Sequence, residues 1–504
     1  MSMLASPWAK QADHLLDVLS HWIPTVQELV GQAALDRGDV VVVKRLMVEM
    51  QKKAPDLVVE ETPGSEGPCL LIYLDGMVDT ERLTMVLTTG KLPAVLNGSG
   101  VAIAQAHTWT EFLHGYLSGE VAVVEFGTPG VVLLDLKQPP HRAVEAPKTE
   151  QTVRGPQEAF VETPTVQLAQ LRQRLPTPQL TVEQMVIGDR MPTTCYVVYI
   201  DGLASPTVVD SVRQRLNAIE VDGPTNATRV GSLIRDHTWS FLPTVRYTER
   251  VDFAALQLQS GKVAIMVAGD PFVITVPTTL PDFYRTSYDY TSPWYDASFV
   301  RMIRLIAWGF GIFLPALYIA LTEVNPDLIS PSLLDIVAGS HTGLPFTPFV
   351  EVMVMILVIE ILREAALRLP TVLASTIGTV GAIVVGTSVV KAGFVSAQII
   401  VVMTMTALSL FSGPAYELIA TWRMMNWLML ISAFILGIYG MLLASLWLSI
   451  ELVGLSSFGT PYFAPLSPWR PKDWANFLWR TPWVYLRRRL TESRTRDLRW
   501  MDQS

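Results

Sequence analysis

The sequence predicts a molecule in two parts: an α/β soluble N-terminal region of two duplicated subdomains, then an α-helical transmembrane bundle of about four spans plus one partial or interfacial helix. Three observations carry that expectation. Half of the 504 residues are apolar and the mean hydropathy is positive, which is high for a wholly soluble chain. Beyond Pro293 the composition changes abruptly and apolar stretches follow at about 301–321, 349–362, 372–390, 394–411 and 427–449. Before that point the sequence repeats itself. CLLIYLDGMVD (69–79) is echoed by CYVVYIDGLAS (195–205), so that Cys, Tyr, Asp and Gly return at one common offset of 126 residues. LSGEVAVVEFGTPGVVLLDL (117–136) is echoed by QSGKVAIMVAGDPFVITVPT (259–278), with Ser118/Ser260, Gly119/Gly261 and Pro129/Pro271 offset by 142. His-Thr-Trp also recurs, at His107 and His237.

The formal net charge of −8 lacks the broad positive field with which nucleic-acid binders neutralise phosphates, so nucleic acid is not expected as a partner. The two cysteines, Cys69 and Cys195, are too few for a disulfide framework or a zinc cluster and fit a reduced, intracellular setting. Residues 1–60 have apolar positions at helical spacing and are expected as a divergent helical extension, a solvated amphipathic pair rather than a membrane-surface helix. Their start lacks the charged segment, apolar core and cleavage site of a secretory signal, so the first domain is expected on the cytoplasmic side.

Subdomain 1 is placed at 61–145 and subdomain 2 at 181–294, each with a buried apolar strand ending at Asp-Gly and a later hairpin turning at GTPG or AGDP. The Pro-rich, charged segment between them, with the helix VQLAQLRQRL (166–175), reads as a linker and connecting helix over 146–180. Asp75 and Asp201 can hold a ligand at a strand end, but Asp-Gly equally suits a turn with positive φ, the preferred reading. His107 and His237 lack companions at metal-ligand spacing, and packing in a core or interface is expected for them. No GxxxxGK[ST], GxSxG or HExxH occurs, so no enzyme, cofactor or metal site is expected.

The transmembrane domain is placed at 295–455. Its second stretch is interrupted by Glu351 and Glu360, which leaves open a pore-side span, an interfacial helix or a partly re-entrant one. The third carries Ala374, Gly378, Ala382 and Gly386 at four-residue intervals, a stripe that lets helices approach closely, beside Thr376, Thr379, Thr387 and Ser388, which can bond back to the helix or line a hydrated path. The loop at 322–345 is acidic without Lys or Arg, whereas the tail at 456–504 is rich in Arg and Trp and is expected along the cytoplasmic interface. With both ends inside, the number of crossings is even. One apolar stretch therefore does not cross: the Glu-bearing second, or one of the third and fourth.

The segment GLPFTPFVEVMVMILVIEILREAALRLPTVLASTIGTVGAIVVGTSVVKAGFVSAQIIVVMTMTALSLF (343–411) resembles the A subunit of the GerA-type spore germination receptors. So do LPALYIALTEVNPDLIS (314–330), PAYELIATWRMM (414–425), GTPYFAPLSPWRPKDW (459–474), RGPQEAFVET (154–163), YIDGLASPTVVDSVRQRL (199–216) and FLPTVRYTERVD (241–252). The resemblance covers residues from about 69 to 490. It implies a component of the spore inner membrane that works with a permease-like, nutrient-sensing B subunit and a lipoprotein C subunit. It also implies homo-oligomers, pentamers, that form a cation channel. On this reading Glu351, Glu360 and Glu364 attract cations and Arg363 and Arg368 neutralise some of them. The alternative is ion pairing between helices, favoured by the i,i+4 spacing of Glu360/Glu364 and Glu364/Arg368. Two other functions stay open: the A-subunit relative encoded with the stage-V dipicolinate-transport proteins, and a non-conducting membrane scaffold.

Overall fold

A computed structural model of the chain describes residues 40–63, 68–88, 101–125, 130–138, 146–152, 154–224, 226–368 and 391–485, with 489 and 495. The soluble half contains the duplication. The first unit comprises α1 (Val40–Gln51), β1 (Leu57–Pro63), β2 (Pro68–Leu74), α2 (Thr80–Thr88), β3 (Ile103–Ala106), α3 (Trp109–Leu117), β4 (Val121–Glu125) and β5 (Val131–Leu134). The second comprises α4 (Pro164–Arg174), β6 (Leu180–Ile187), β7 (Thr193–Ile200), α5 (Pro206–Asn217), α6 (Ala227–Ile234), β8 (Arg246–Thr248), α7 (Val251–Gln259), β9 (Val263–Val267) and β10 (Val273–Val276).

Both sheets are antiparallel, with orders β1-β2-β4-β5-β3 and β6-β7-β9-β10-β8, the same path traced twice. The register repeats too, since Cys69 faces Glu125 and Cys195 faces Val267. Strands buried on both faces read as continuous apolar runs, which is why both Cys-led segments stood out. In unit 1, Leu70, Ile72 and Leu74 pack under α1 and α3, and Cys69, Leu71 and Tyr73 face the α2 side. In unit 2, Val198 and Ile200 pack under α4 and α7, and Cys195, Val197 and Tyr199 under α5 and α6.

This arrangement moves two boundaries. Helix α1, assigned from sequence to an extension ending at residue 60, buries Val43, Leu46, Met47 and Met50 on the first sheet, and β1 straddles that boundary. Helix α4, read from sequence as a connecting helix between the subdomains, is its counterpart in unit 2. Each unit thus begins one helix earlier, because a helix with an apolar stripe at its start is part of the core it covers. Buried Arg172 of α4 reaches Asp56 of unit 1 at 2.8 Å, and Lys53 pairs with Asp201 at 2.9 Å, so the copies interlock.

The helical half opens with α8 (Leu280–Tyr284) and α9 (Tyr288–Thr291), followed by α10 (Trp294–Ile319), which a π-helical turn extends to Val324. Then come α11 (Pro331–His341), α12 (Pro348–Arg368), α13 (Ala397–Phe411) and α14 (Tyr416–Gly454). A short β11–β12 ribbon (Ser456–Ser457, Thr460–Pro461), α15 (Pro471–Leu478) and a 3-10 turn (Trp483–Tyr485) end the described elements. By length and composition, Trp294–Val324 and Tyr416–Gly454 are long and apolar enough to cross a membrane.

The last apolar stretch, expected as one crossing, is a helical hairpin. At Gly437 φ is 60° and ψ is −138°, outside the helical region. Beyond it the chain folds back on itself: Ser445 Oγ lies 3.9 Å from Met429 Sδ, and a Cβ on Gly440 would overlap the Ser432 carbonyl. In one continuous helix those side chains would be about 24 Å apart, at ~1.5 Å per residue. Asn325, just past α10, meets the turn, accepting from the Ile438 N–H at 3.0 Å. Helix α12 is a single 21-residue element despite its glutamates. It runs from the hairpin tip, where Phe349 stacks on Phe434 at 3.9 Å, toward the soluble half, where Glu360 meets Arg423 at 3.0 Å.

Candidate functional site at the junction of the two halves

The segment Phe241 to Asp252 runs along the near end of the helices and is fastened residue by residue. The Phe241 carbonyl accepts from Thr421 Oγ1 at 2.9 Å, and its ring stacks on Trp447 at 6.1 Å. The Tyr247 N–H donates to Glu417 Oε1 at 3.1 Å. After α14 the chain returns and continues the contact: Ser457 Oγ donates to the Thr244 carbonyl at 2.7 Å and accepts from the Thr278 N–H at 3.0 Å. The Leu280 N–H donates to the Tyr462 carbonyl at 2.9 Å.

Behind this seam lies a buried network of charge. Arg246 pairs with Glu150 at 3.1 Å, donates to the carbonyls of Asp282 and Arg285, and lies over the Phe253 ring. Arg250 holds Asp252 and also donates to Ser287 Oγ, the Glu150 carbonyl, Thr152 Oγ1 and the Pro156 carbonyl, so the segment expected as a linker is strapped onto unit 2. Lys262 meets Asp282 at 2.6 Å. Burial pushes the Asp282 carboxyl up, but Lys262 and Arg285 beside it overcome that and hold it down at about 2. Asp289, fully buried on α9, takes Arg301 at 2.9 Å and Arg304 at 3.0 Å from α10, and its carbonyl accepts from Arg480 Nε at 3.2 Å. Burial lowers the Arg480 pKa. A cleft of about 510 Å³ opens beside this network, lined by Glu150, Thr152, Arg250, Tyr288, Arg304 and Ser412 among others.

Paired charges at such burial specify geometry, since removing one partner strands the other in a medium that solvates it poorly. The arrangement fixes the soluble half to the first and last long helices. These residues were missed as a site at the sequence level, although Arg301 and Arg304, three apart at the mouth of an apolar stretch, are a detectable signal for buried partners.

The charges singled out from sequence lie elsewhere. Glu351 is fully buried at the far end, with Oε1 3.0 Å from His341 Nδ1 and Oε2 accepting from the Ser396 N–H at 2.7 Å. His341 Nε2 is in turn 3.0 Å from the Tyr318 hydroxyl. Glu360 pairs with Arg363 on its own helix and with Arg423 of α14, an ion pair between helices, while Glu364 is exposed. The side chain of Arg368 and the stripe Ala374, Gly378, Thr379, Ala382, Gly386 and Thr387 lie outside the described residues. Asp75 and Asp201 are turn residues, their carboxylates accepting from the N–H of Gly76 and Gly202 at 2.9 Å. A Cβ on Gly76, at φ 77°, would also press the Thr165 carbonyl at 2.9 Å. His107 and His237, expected in a core or interface, are both exposed. Their shared His-Thr-Trp is no structural equivalence either: Thr108 caps α3, whereas the second copy lies in a turn before β8. Among the described residues no group of three or more His, Cys, Asp or Glu is placed to hold a metal ion.

The sequence profile "Bacillus/Clostridium GerA spore germination protein" matches residues 45–492, the duplicated units and the helices together. The chain belongs to the GerA family. Among GerA relatives, spore germination protein GerQA of Bacillus cereus is 31% identical over 464 residues, covering 90% of this chain and 92% of that one. Spore germination protein A1 of Bacillus subtilis is 35% identical over 353 residues, 70% and 73% of the two chains. A crystal structure of the N-terminal domain of the A subunit of the Bacillus megaterium spore germinant receptor GerK3 is 24% identical, covers 49% of this chain and 96% of that one, and has a TM-score of 0.37. The repeated sheet order, not that likeness, carries the description of the soluble half of this GerA chain.

Proposed function

We propose that this chain is the A subunit of a spore germinant receptor: a membrane subunit that assembles as a homo-oligomer, partners a permease-like B subunit and a lipoprotein C subunit, and conducts cations when the B subunit binds nutrient. The family match over residues 45–492 is the observation that supports this most, because it spans soluble and helical halves alike. On this reading the helices lie in the spore inner membrane with the soluble half and tail on the core side, and the pore runs along α12, which carries Glu351 at its far end and Glu360 nearer the soluble half. The junction supports gating, since a partner that binds one position of the soluble half better than another shifts α10 and α14 with it. No step of the proposal calls for catalysis or a cofactor.

The test is ion flux through proteoliposomes holding this subunit alone and with its B and C partners, with and without amino-acid or sugar germinants. Flux that appears on adding nutrient, with ion selectivity altered in Glu351→Gln or Glu360→Gln, is expected. Silence from a verified, oligomeric and partnered preparation overturns conduction and leaves a scaffold.

A further inference from the structure

The two tryptophans of the repeated His-Thr-Trp meet opposite fates: Trp109 is 8% exposed in the core of unit 1, whereas Trp239 is 99% exposed. An indole offers a large apolar face and a single N–H, so full exposure to water is its least favourable setting, and the boundary between headgroups and acyl chains is a favoured one. Its neighbours indicate where Trp239 sits. Two residues on, Phe241 already lies against α14, bonded to Thr421 and stacked on Trp447. Thr421 is five residues past the first of that helix, about 8 Å inside its near end at ~1.5 Å per residue. Trp447 is itself 49% exposed and continues into exposed Leu443, Leu446 and Ile450, an apolar face contiguous with the loop. In the helix that precedes the turn Arg229 and Leu233 are exposed, and His237 in the turn is exposed too, while Asp236 faces inward onto Arg215 and the Phe458 N–H.

We infer that the turn at 237–240 is a membrane-contacting loop: Trp239 enters the headgroup–acyl boundary of the bilayer surface facing the soluble half, with His237 beside it at the level of the lipid phosphates. The inference rests on the reading that α10 and α14 cross a bilayer. It gives the soluble half a contact with lipid that is independent of its covalent attachment to the helices.

The test uses the full chain in nanodiscs of phosphatidylcholine and phosphatidylglycerol. Cys69 and Cys195 are buried, and burial pushes their thiols up to about 11 and about 12, so an added cysteine labels selectively. Thr238→Cys carries an environment-sensitive fluorophore and leaves Trp239 in place; exposed Leu442→Cys on α14 reports lipid and exposed Val41→Cys in unit 1 reports water. The label at 238 is expected to be quenched by spin-labelled lipid and shielded from iodide, and adding Trp239→Ser is expected to at least halve the lipid quenching. Iodide access at 238 equal to that at 41, with 442 still quenched by lipid, overturns the loop contact and leaves the crossing helices standing. A label at 238 shielded from both quenchers means another subunit covers the loop and also overturns it. Iodide access at 442 overturns the membrane reading itself.

Discussion

Asp282 is the side chain on which the buried network turns most sharply. Its Oδ2 takes Lys262, the Thr279 N–H and Thr279 Oγ1 together, inside a fully buried site. Asp282→Asn keeps the shape but removes the buried negative charge that faces Lys262 and Arg285, a change that costs about 3–5 kcal/mol. Thermal unfolding in detergent is expected to show that loss at neutral pH. The pH dependence follows from the depressed carboxyl: its contribution is present above the unfolded value near 4 and is lost as pH falls toward about 2. The wild-type advantage over Asp282→Asn is therefore expected to shrink across that window in an acid titration of stability. None of this was legible beforehand. Lys262 and Asp282 lie twenty residues apart with β9 and β10 between them, and charge alone does not reveal which residues a sheet brings together.

Helices and strands were legible in proportion to how strongly one pattern dominated each. The Cys-led strands, the Asp-Gly turns and the paired hairpins could be read because the same residues return at fixed offsets, and the sheets then follow one order twice. Helix α1 was misplaced because its apolar stripe says that it packs, not on what. The α14 hairpin was invisible for a different reason. Glycine is common in apolar helices, and Gly437 looks no different from Gly440 until Asn325 arrives from another element to meet it. The pair Met429→Cys/Ser445→Cys is expected to cross-link readily under mild oxidation in the folded chain; failure to cross-link would restore one continuous helix. Gly437→Ala places a Cβ against the Asn325 carboxamide at a backbone conformation that disfavours side chains, at a cost of roughly 1–3 kcal/mol. It is expected to lower both the melting temperature and the yield of that cross-link.

At the scale of the whole molecule, the tail beyond α14 holds the end of the soluble half together with the short helices α8 and α9 that follow it. The Thr278 N–H is satisfied by Ser457 and the Leu280 N–H by Tyr462, while Arg480 closes over Asp289 and the Tyr290 ring. A chain ended at Leu455 is therefore expected to exchange its amide hydrogens at Thr278 and Leu280 faster than the full chain, with strands β2 and β4 of the first unit unaffected. Equal protection at all four places would mean that the tail only rests on the surface. Membership of the family could be recognised from long motifs, yet those motifs did not disclose that the chain, after leaving the soluble half through α10, comes back to it through the second arm of α14. That return has a mechanical meaning. A handle attached to a bundle by one strand can only pull, whereas one bolted at both the first and the last helix can twist, and a twist rotates α10 and α14 while α12 is dragged with them through the Glu360–Arg423 pair and the Phe349–Phe434 stack.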